Sequence, residues 1–227
     1  MAVAHLIISR AGYEGRDMGK IKICGITNAT DAQLATKLGA DALGFNFYSG
    51  SPRFVSRERV RAIVASLPPF VVPVAIFVNE QPALIKETCD FCGIRTIQLH
   101  GDEAPAVIGQ LRAYKVIKAV QVQSERDLIQ LRKYDADAFL LDAYVPGKRG
   151  GTGFPFNWEL AKSAASSLPI LLAGGLNPVN VAEAIRVVNP YGVDVCTGVE
   201  SEPGKKDRRL LRQFIQEARN AFLNELS

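Results

Sequence analysis

Lys20–Thr27 reads KIKICGIT, an alternation of apolar and charged residues over Ile21, Lys22 and Ile23 followed by Cys24 and Gly25. The alternation is too short to stand as an exposed strand, and the glycines on either side, Gly19 and Gly25, set it off as a separate element. It fits a staff of a parallel barrel that ends at Cys24, where side chains face the bowl in which α/β barrels carry out chemistry. Lys22 alternates with Cys24 and shares its inward face. The competing reading of Cys24 is the usual fate of a free cysteine, a small apolar residue packed away from water.

Outward from this stretch the same unit repeats. Thr30 with Gln33 resembles a capping box, and Leu34, Ala35 and Leu38 make a helical face that stops at Gly39. Ala42–Phe47 is a strand, and Ser56 caps a second helix with Val60, Ile63, Val64 and Leu67 on its apolar face. Val71–Val78 is the nearly continuous apolar run required of a parallel strand buried on both faces, with Pro73 near its start, and Asn79 opens a third helix. Ile94–Leu99 leads into Asp102, Glu103 and Pro105 at a helix start, where acids are usually caps. Val116–Val120 leads into a capping box at Ser124 and Asp127. Phe139–Asp142, Ile170–Ala173 and Val193–Cys196 supply the remaining strands, Asn177-Pro178 reads as an N-cap and first-turn pair, and Leu210, Leu211, Phe214, Ile215 and Phe222 mark a last helix. Some eight strands alternating with helices through short loops predict a (β/α)8 TIM barrel of the α/β class in one domain, residues 19–227. Residues 1–18 read as a flexible N-terminal extension.

The 227 residues, 48% of them hydrophobic, are enough for one full barrel core. A formal charge of +4, from 27 basic and 23 acidic residues scattered along the chain, does not favour nucleic acid and suits a small anionic substrate. Val3–Ile8 is too short for a signal core or a membrane span, so no membrane association is expected and the cytoplasm is the default location. The four cysteines read as cytosolic thiols. Cys89 and Cys92 form a C-x-x-C with no second pair or histidine pair beside it, which favours helix-end packing over metal or redox use. No G-x-G-x-x-G follows the first strand, and neither a cofactor nor a metal is expected.

Two glycine-bearing strand ends, Leu172–Pro178 and Val195–Ser201, fall after the seventh and eighth strands, where barrels bind phosphate. They nominate Gly174, Gly175, Thr197 and Gly198. Arg53, in the Ser51–Arg53 SPR, offers a fork for a carboxylate. Asp142 follows three apolar residues, so its carboxyl is partly desolvated, tends to hold its proton and suits a general acid. The loop Gly147–Gly153, with Gly151, Thr152 and Gly153, is suited to closing over a phosphorylated ligand.

KICGIT, GFNFYSGSPRFV, VAIFVN, IQLHGDE, LLDA, GGTG, LAGGLNP and VDVCTGVE, in that order within a match that runs from Lys20 to about Glu200, resemble the phosphoribosylanthranilate isomerases of tryptophan biosynthesis. Eight motifs in register at successive strand ends make the resemblance specific. It implies a TIM barrel that converts N-(5-phosphoribosyl)anthranilate to 1-(2-carboxyphenylamino)-1-deoxyribulose 5-phosphate, an Amadori rearrangement without metal or cofactor. It also implies Cys24 as general base, Asp142 as general acid, Arg53 on the anthranilate carboxylate and the late glycines on the phosphate. A thiolate base is plausible beside positive charge, with Lys22 and the substrate iminium as candidate sources. His100 lines the site or is a satisfied structural histidine. Asn46, Gly50, Cys196 and Thr197 depart from the family pattern. Competing readings are a broader phosphosugar isomerase, an indole-glycerol-phosphate synthase and a non-catalytic phosphate sensor; the chain is expected to act as a monomer or homodimer.

Overall fold

The computed structural model describes residues 19–122, 124–143 and 158–225. The expected extension at residues 1–18 and the expected lid residues Gly151, Thr152 and Gly153 lie outside the described residues. Eight strands, β1 (Lys20–Ile23), β2 (Ala42–Asn46), β3 (Val72–Phe77), β4 (Thr96–Leu99), β5 (Lys115–Val122), β6 (Ala138–Ala143), β7 (Ile170–Leu172) and β8 (Gly192–Val195), pair in chain order and close into a barrel. Helices α1 (Ala29–Leu38), α2 (Arg57–Val64), α3 (Pro82–Cys92), α4 (Pro105–Gly109), α5 (Glu125–Leu131), α6 (Trp158–Ala165) and α7 (Val181–Val188) fill the connections. A short hairpin, β9 (Glu200–Glu202) and β10 (Lys205–Lys206), precedes the terminal helix α8 (Arg208–Asn224). The fold is a (β/α)8 barrel, as the strand–helix alternation predicts.

Closure is made by β1 on β8, in register from Lys20↔Gly192 to Ile23↔Val195. The period of two divides the side chains between two layers. Ile21, Ile23, Phe45, Ile97, Val193 and Phe214 join the large apolar layer between barrel and helices. Val74, Ile117, Ala119, Leu140, Leu171 and Ala173 form a separate interior cluster. Asp142 alternates with Leu140 and therefore projects into the barrel at its C-terminal rim. Asp207 caps α8, its carboxylate accepting the amides of Arg209 and Leu210 at 2.8 Å each. Arg219 of α8 then donates to the Gly19 and Gly39 carbonyls at 2.8 Å, tying the last helix to the first strand.

Several helix starts differ from the local reading. Asn28, not Thr30, caps α1, with its side-chain oxygen accepting the Asp31 amide at 2.8 Å, because the chain turns two residues earlier. Asn79 does not open α3: it adopts φ 52°, its side chain accepts the Asp102 amide at 2.7 Å, and the helix starts at Pro82. Asn177 accepts the Val179 amide at 2.8 Å in a preliminary turn, and α7 starts only at Val181.

Glu103 is a further correction. Rather than capping α4 in solvent, it is 5% exposed and meets Lys118, which is 2% exposed, at 2.9 Å. Glu103 also accepts the amides of Asn79 and Gly101, at 2.9 Å each, so one buried carboxylate joins the loops after β3 and β4. Removing one partner strands a buried charge. Glu103→Ala is expected to destabilise the fold by about 3–5 kcal/mol, read as a fall in Tm on the order of 10 °C by calorimetry. A shift of only a degree or two would show that the pair is not a structural anchor.

Candidate active site

A cavity of about 260 Å³ opens at the C-terminal ends of the strands, lined by His100, Asp142, Gly174, Gly175, Thr197 and Gly198 together with Asp194, Cys196 and Asn177. Six of the residues singled out in the sequence thus line one cavity. Lys22, Cys24 and Arg53 stand beside this cavity, on the β1 and β2 side of Cys196, rather than among its lining residues.

The end of β1 places Cys24: its amide donates to Val195 O at 2.9 Å, and Gly25 turns the chain away at φ 73°. A hydrogen bond from the Cys196 thiol, against the opposing effect of burial and with help from Lys22, draws the Cys24 thiol down to about 7. Lys22, one of the two candidate sources of positive charge, contributes to this lowering. It is bound to Asp194 of β8 at 2.7 Å, directly across the barrel seam, and the Asp194 carboxylate opposes part of its effect on Cys24. Burial disfavours the Lys22 charge, but Asp194 and the neighbouring thiols outweigh it and raise its pKa.

Arg53 lies in the loop after β2, and its fork is occupied within the protein. Nε and Nη2 donate to Glu200 at 2.9 and 2.6 Å, and Nη2 donates to Thr197 Oγ1 at 3.2 Å. Glu200 also accepts from Lys206 Nζ at 3.0 Å. Burial acts to raise the Glu200 carboxyl, but Arg53 and Lys206 overcome it and hold Glu200 below the usual carboxylate range.

Across the cavity, Asp142 is 3% exposed, and His100 Nε2 stands 3.4 Å from its Oδ2, near but not aligned as a hydrogen bond. Gln98 Nε2 donates to His100 Nδ1 at 2.8 Å, which leaves the proton of a neutral imidazole on Nε2, toward Asp142. Gly174 and Gly175 both adopt left-handed backbone, φ 77° and 71°, open to glycine at low cost. Gly198 is required for a different reason: a Cβ there would lie 2.0 Å from Leu176 O. Cys89 and Cys92 are buried near the end of α3, where burial pushes the Cys89 thiol up to about 12, in keeping with packing. Among the described residues no group of three or more His, Cys, Asp or Glu side chains is placed to hold a metal ion.

Local reading missed Asp194, Glu200, Lys206 and Gln98. Asp194 carried a signal, since a charge between Val193 and Val195, in phase with Cys196, must enter the barrel. Lys206 carried none: the hairpin that delivers it is two residues long on one side.

The chain matches the family model described as N-(5'phosphoribosyl)anthranilate (PRA) isomerase over residues 21–217. It is 51% identical over 202 residues to the N-(5'-phosphoribosyl)anthranilate isomerase of Pelobacter propionicus, covering 89% of this chain and 96% of that one. It is similar in structure to monomers generated from the dimeric phosphoribosylanthranilate isomerase of Thermotoga maritima, at 39% identity and TM-score 0.81, over 89% of this chain and 100% of that chain. A phosphoribosyl anthranilate isomerase solved in complex with reduced 1-(o-carboxyphenylamino)-1-deoxyribulose 5-phosphate is 40% identical with TM-score 0.80, over the same shares of the two chains.

Proposed function

The chain belongs to the N-(5'-phosphoribosyl)anthranilate isomerase family, and on that basis we propose how its own residues divide the reaction. The enzyme catalyses the Amadori rearrangement of N-(5-phospho-β-D-ribosyl)anthranilate to 1-(2-carboxyphenylamino)-1-deoxy-D-ribulose 5-phosphate in tryptophan biosynthesis. Asp142 is the general acid: it delivers a proton to the ribose ring oxygen, the C1′–O bond breaks and the anthranilate nitrogen becomes an iminium. Cys24 is the general base: its thiolate takes the acidified C2′ proton, and the resulting enolamine ketonises to product. The observation that carries this assignment is geometric: Cys24, held on Val195 O just past the end of β1, and Asp142, near the end of β6, both stand at the C-terminal rim of the barrel, and the Cys24 thiol is lowered there toward ionisation near neutral pH.

Gly174, Gly175, Thr197 and Gly198 bind the phosphate, where two glycine strand ends bring backbone N–H groups within reach of its oxygens. Arg53 receives the anthranilate carboxylate while Glu200 holds its Nε and Nη2 edge. His100 helps to line the acid side of the cavity. Every residue given a role comes from one chain, so the scheme holds for a monomer and for a homodimer. No helix among the described residues is long and apolar enough to cross a membrane, and a cytoplasmic location is part of the proposal.

Following the fluorescence of freshly made phosphoribosylanthranilate tests the scheme: turnover by the purified chain supports it, and binding without turnover identifies a sensor. The carboxylate assignment has its own test. Arg53→Lys keeps the charge, but a single ammonium cannot hold Glu200 and the substrate carboxylate at once as a guanidinium can, and it is expected to raise KM about tenfold or more, the scale of a lost charge-assisted hydrogen bond. An analogue without the anthranilate carboxylate should be nearly indifferent to the change; equal loss with that analogue would assign Arg53 a different partner.

A further inference from the structure

Cys24 and Cys196 end adjacent strands that are in register at Ile23↔Val195, and the Cys24 amide is held on Val195 O at 2.9 Å. This register sets residues 24 and 196 side by side at the ends of the two paired strands. In the structure the Cys196 thiol makes a long hydrogen bond to Glu200 Oε1 at 3.7 Å and accepts from Lys206 Nζ at 4.0 Å. We propose that Cys196 is a positioning residue for the isomerisation, donating its S–H to the Cys24 sulfur and thereby holding Cys24 as the thiolate that accepts the C2′ proton. The proposal rests on the reading of Cys24 as the base.

Charge around the pair supports a single thiolate. Lys22 from β1, Arg53 from the loop after β2 and Lys206 from β10 face it as cations; Asp194 from β8 and Glu200 from β9 face it as carboxylates. Three cations against two carboxylates leave one positive charge, which one thiolate neutralises and two would overdraw. The choice between the sulfurs follows from their neighbours. A thiolate on Cys196 would stand against the Glu200 carboxylate at 3.7 Å, whereas Asp194, the carboxylate on the Cys24 side, is bound to Lys22 at 2.7 Å. Glu200 Oε1 already accepts from Arg53 Nε, Lys206 Nζ and the Gly204 amide, at 2.9, 3.0 and 3.2 Å, so the Cys196 proton is better directed to Cys24. The bond to Cys24, with burial, keeps the Cys196 thiol well above its ordinary range.

The test is the pH dependence of Cys24 alkylation by iodoacetamide in the full-length protein, with the Cys24 peptide quantified by mass spectrometry. In the wild type the rate should reach half its maximum near pH 7. In Cys196→Ala the midpoint should move toward that of an ordinary thiol, about 8.5, so that alkylation at pH 7 falls roughly tenfold or more, and the acidic limb of kcat/KM should move with it. Cys196→Ser keeps a donor, and its midpoint should stay within about half a pH unit of the wild type. A folded Cys196→Ala protein with the wild-type midpoint would overturn the proposal. Should the alanine variant not fold, 13Cβ-cysteine NMR of the wild type decides: Cys24 titrating first, with Cys196 still a thiol, supports it, and the reverse order overturns it. Neither titration depends on turnover. An active Cys24→Ala enzyme would therefore refute the base assignment while leaving the sulfur–sulfur hydrogen bond measurable.

Discussion

Replacing Cys24 with alanine is expected to lower turnover by on the order of 10²–10⁴-fold, the contribution of a positioned general base. Substrate affinity should change little, because the proposed scheme assigns the phosphate and carboxylate to other residues. The loss belongs in kcat and kcat/KM alike, as for a group that acts only in the transition state. In the wild type, the thiolate is the active form, so below about pH 7 kcat/KM should rise with pH and then level as Cys24 ionises. Steady-state fluorescence kinetics across pH measures both. A Cys24→Ala enzyme with near-normal turnover would return Cys24 to a packing role.

Asp142→Asn should cost a comparable factor, on the order of 10²–10⁴-fold in kcat, because the amide fills the same buried space yet has no transferable proton to give the ring oxygen. Its neighbours, His100 Nε2 at 3.4 Å and the glycine turn after β7, remain in place, so binding of a product analogue by calorimetry should be nearly unchanged. Loss of binding equal to the loss of rate would make Asp142 a substrate-binding group instead of the acid. The two variants fail at successive steps, ring opening for Asp142 and C2′ proton removal for Cys24. An iminium trapped by borohydride is therefore expected with Cys24→Ala and not with Asp142→Asn.

The barrel itself was legible because its signals are local. Val71–Val78 reads as a strand buried on both faces, Ser56 and the Ser124–Asp127 box mark helix starts, and Gly39 ends α1 with φ 100°. Cys24 and Asp142 could be placed at strand ends by counting from those signals. The electrostatics could not. Lys22 finds Asp194 across 172 residues and Arg53 finds Glu200 across 147, distances over which no periodicity carries information. Glu103 misled for the same reason: an acid two residues before Pro105 is a good cap until Lys118 arrives from the next strand. Gln98 lies in β4 and His100 just past its end, two residues on, so their contact was available to the alternation rule although the tautomer it sets was not.

Joining β1 to β8 also fixes when the enzyme becomes competent as it is made. Synthesis runs from the N-terminus at roughly 5–20 residues per second, so Asp194 leaves the ribosome some 10–30 s after Lys22, 172 residues earlier. Until then the β1 edge is unpaired, Lys22 has no counter-ion, and Cys24 lacks both its backbone acceptor on Val195 and its sulfur donor. A nascent chain stalled before β8 therefore carries an unactivated thiol on an exposed strand edge, and activity arrives at one late closing event rather than growing with chain length.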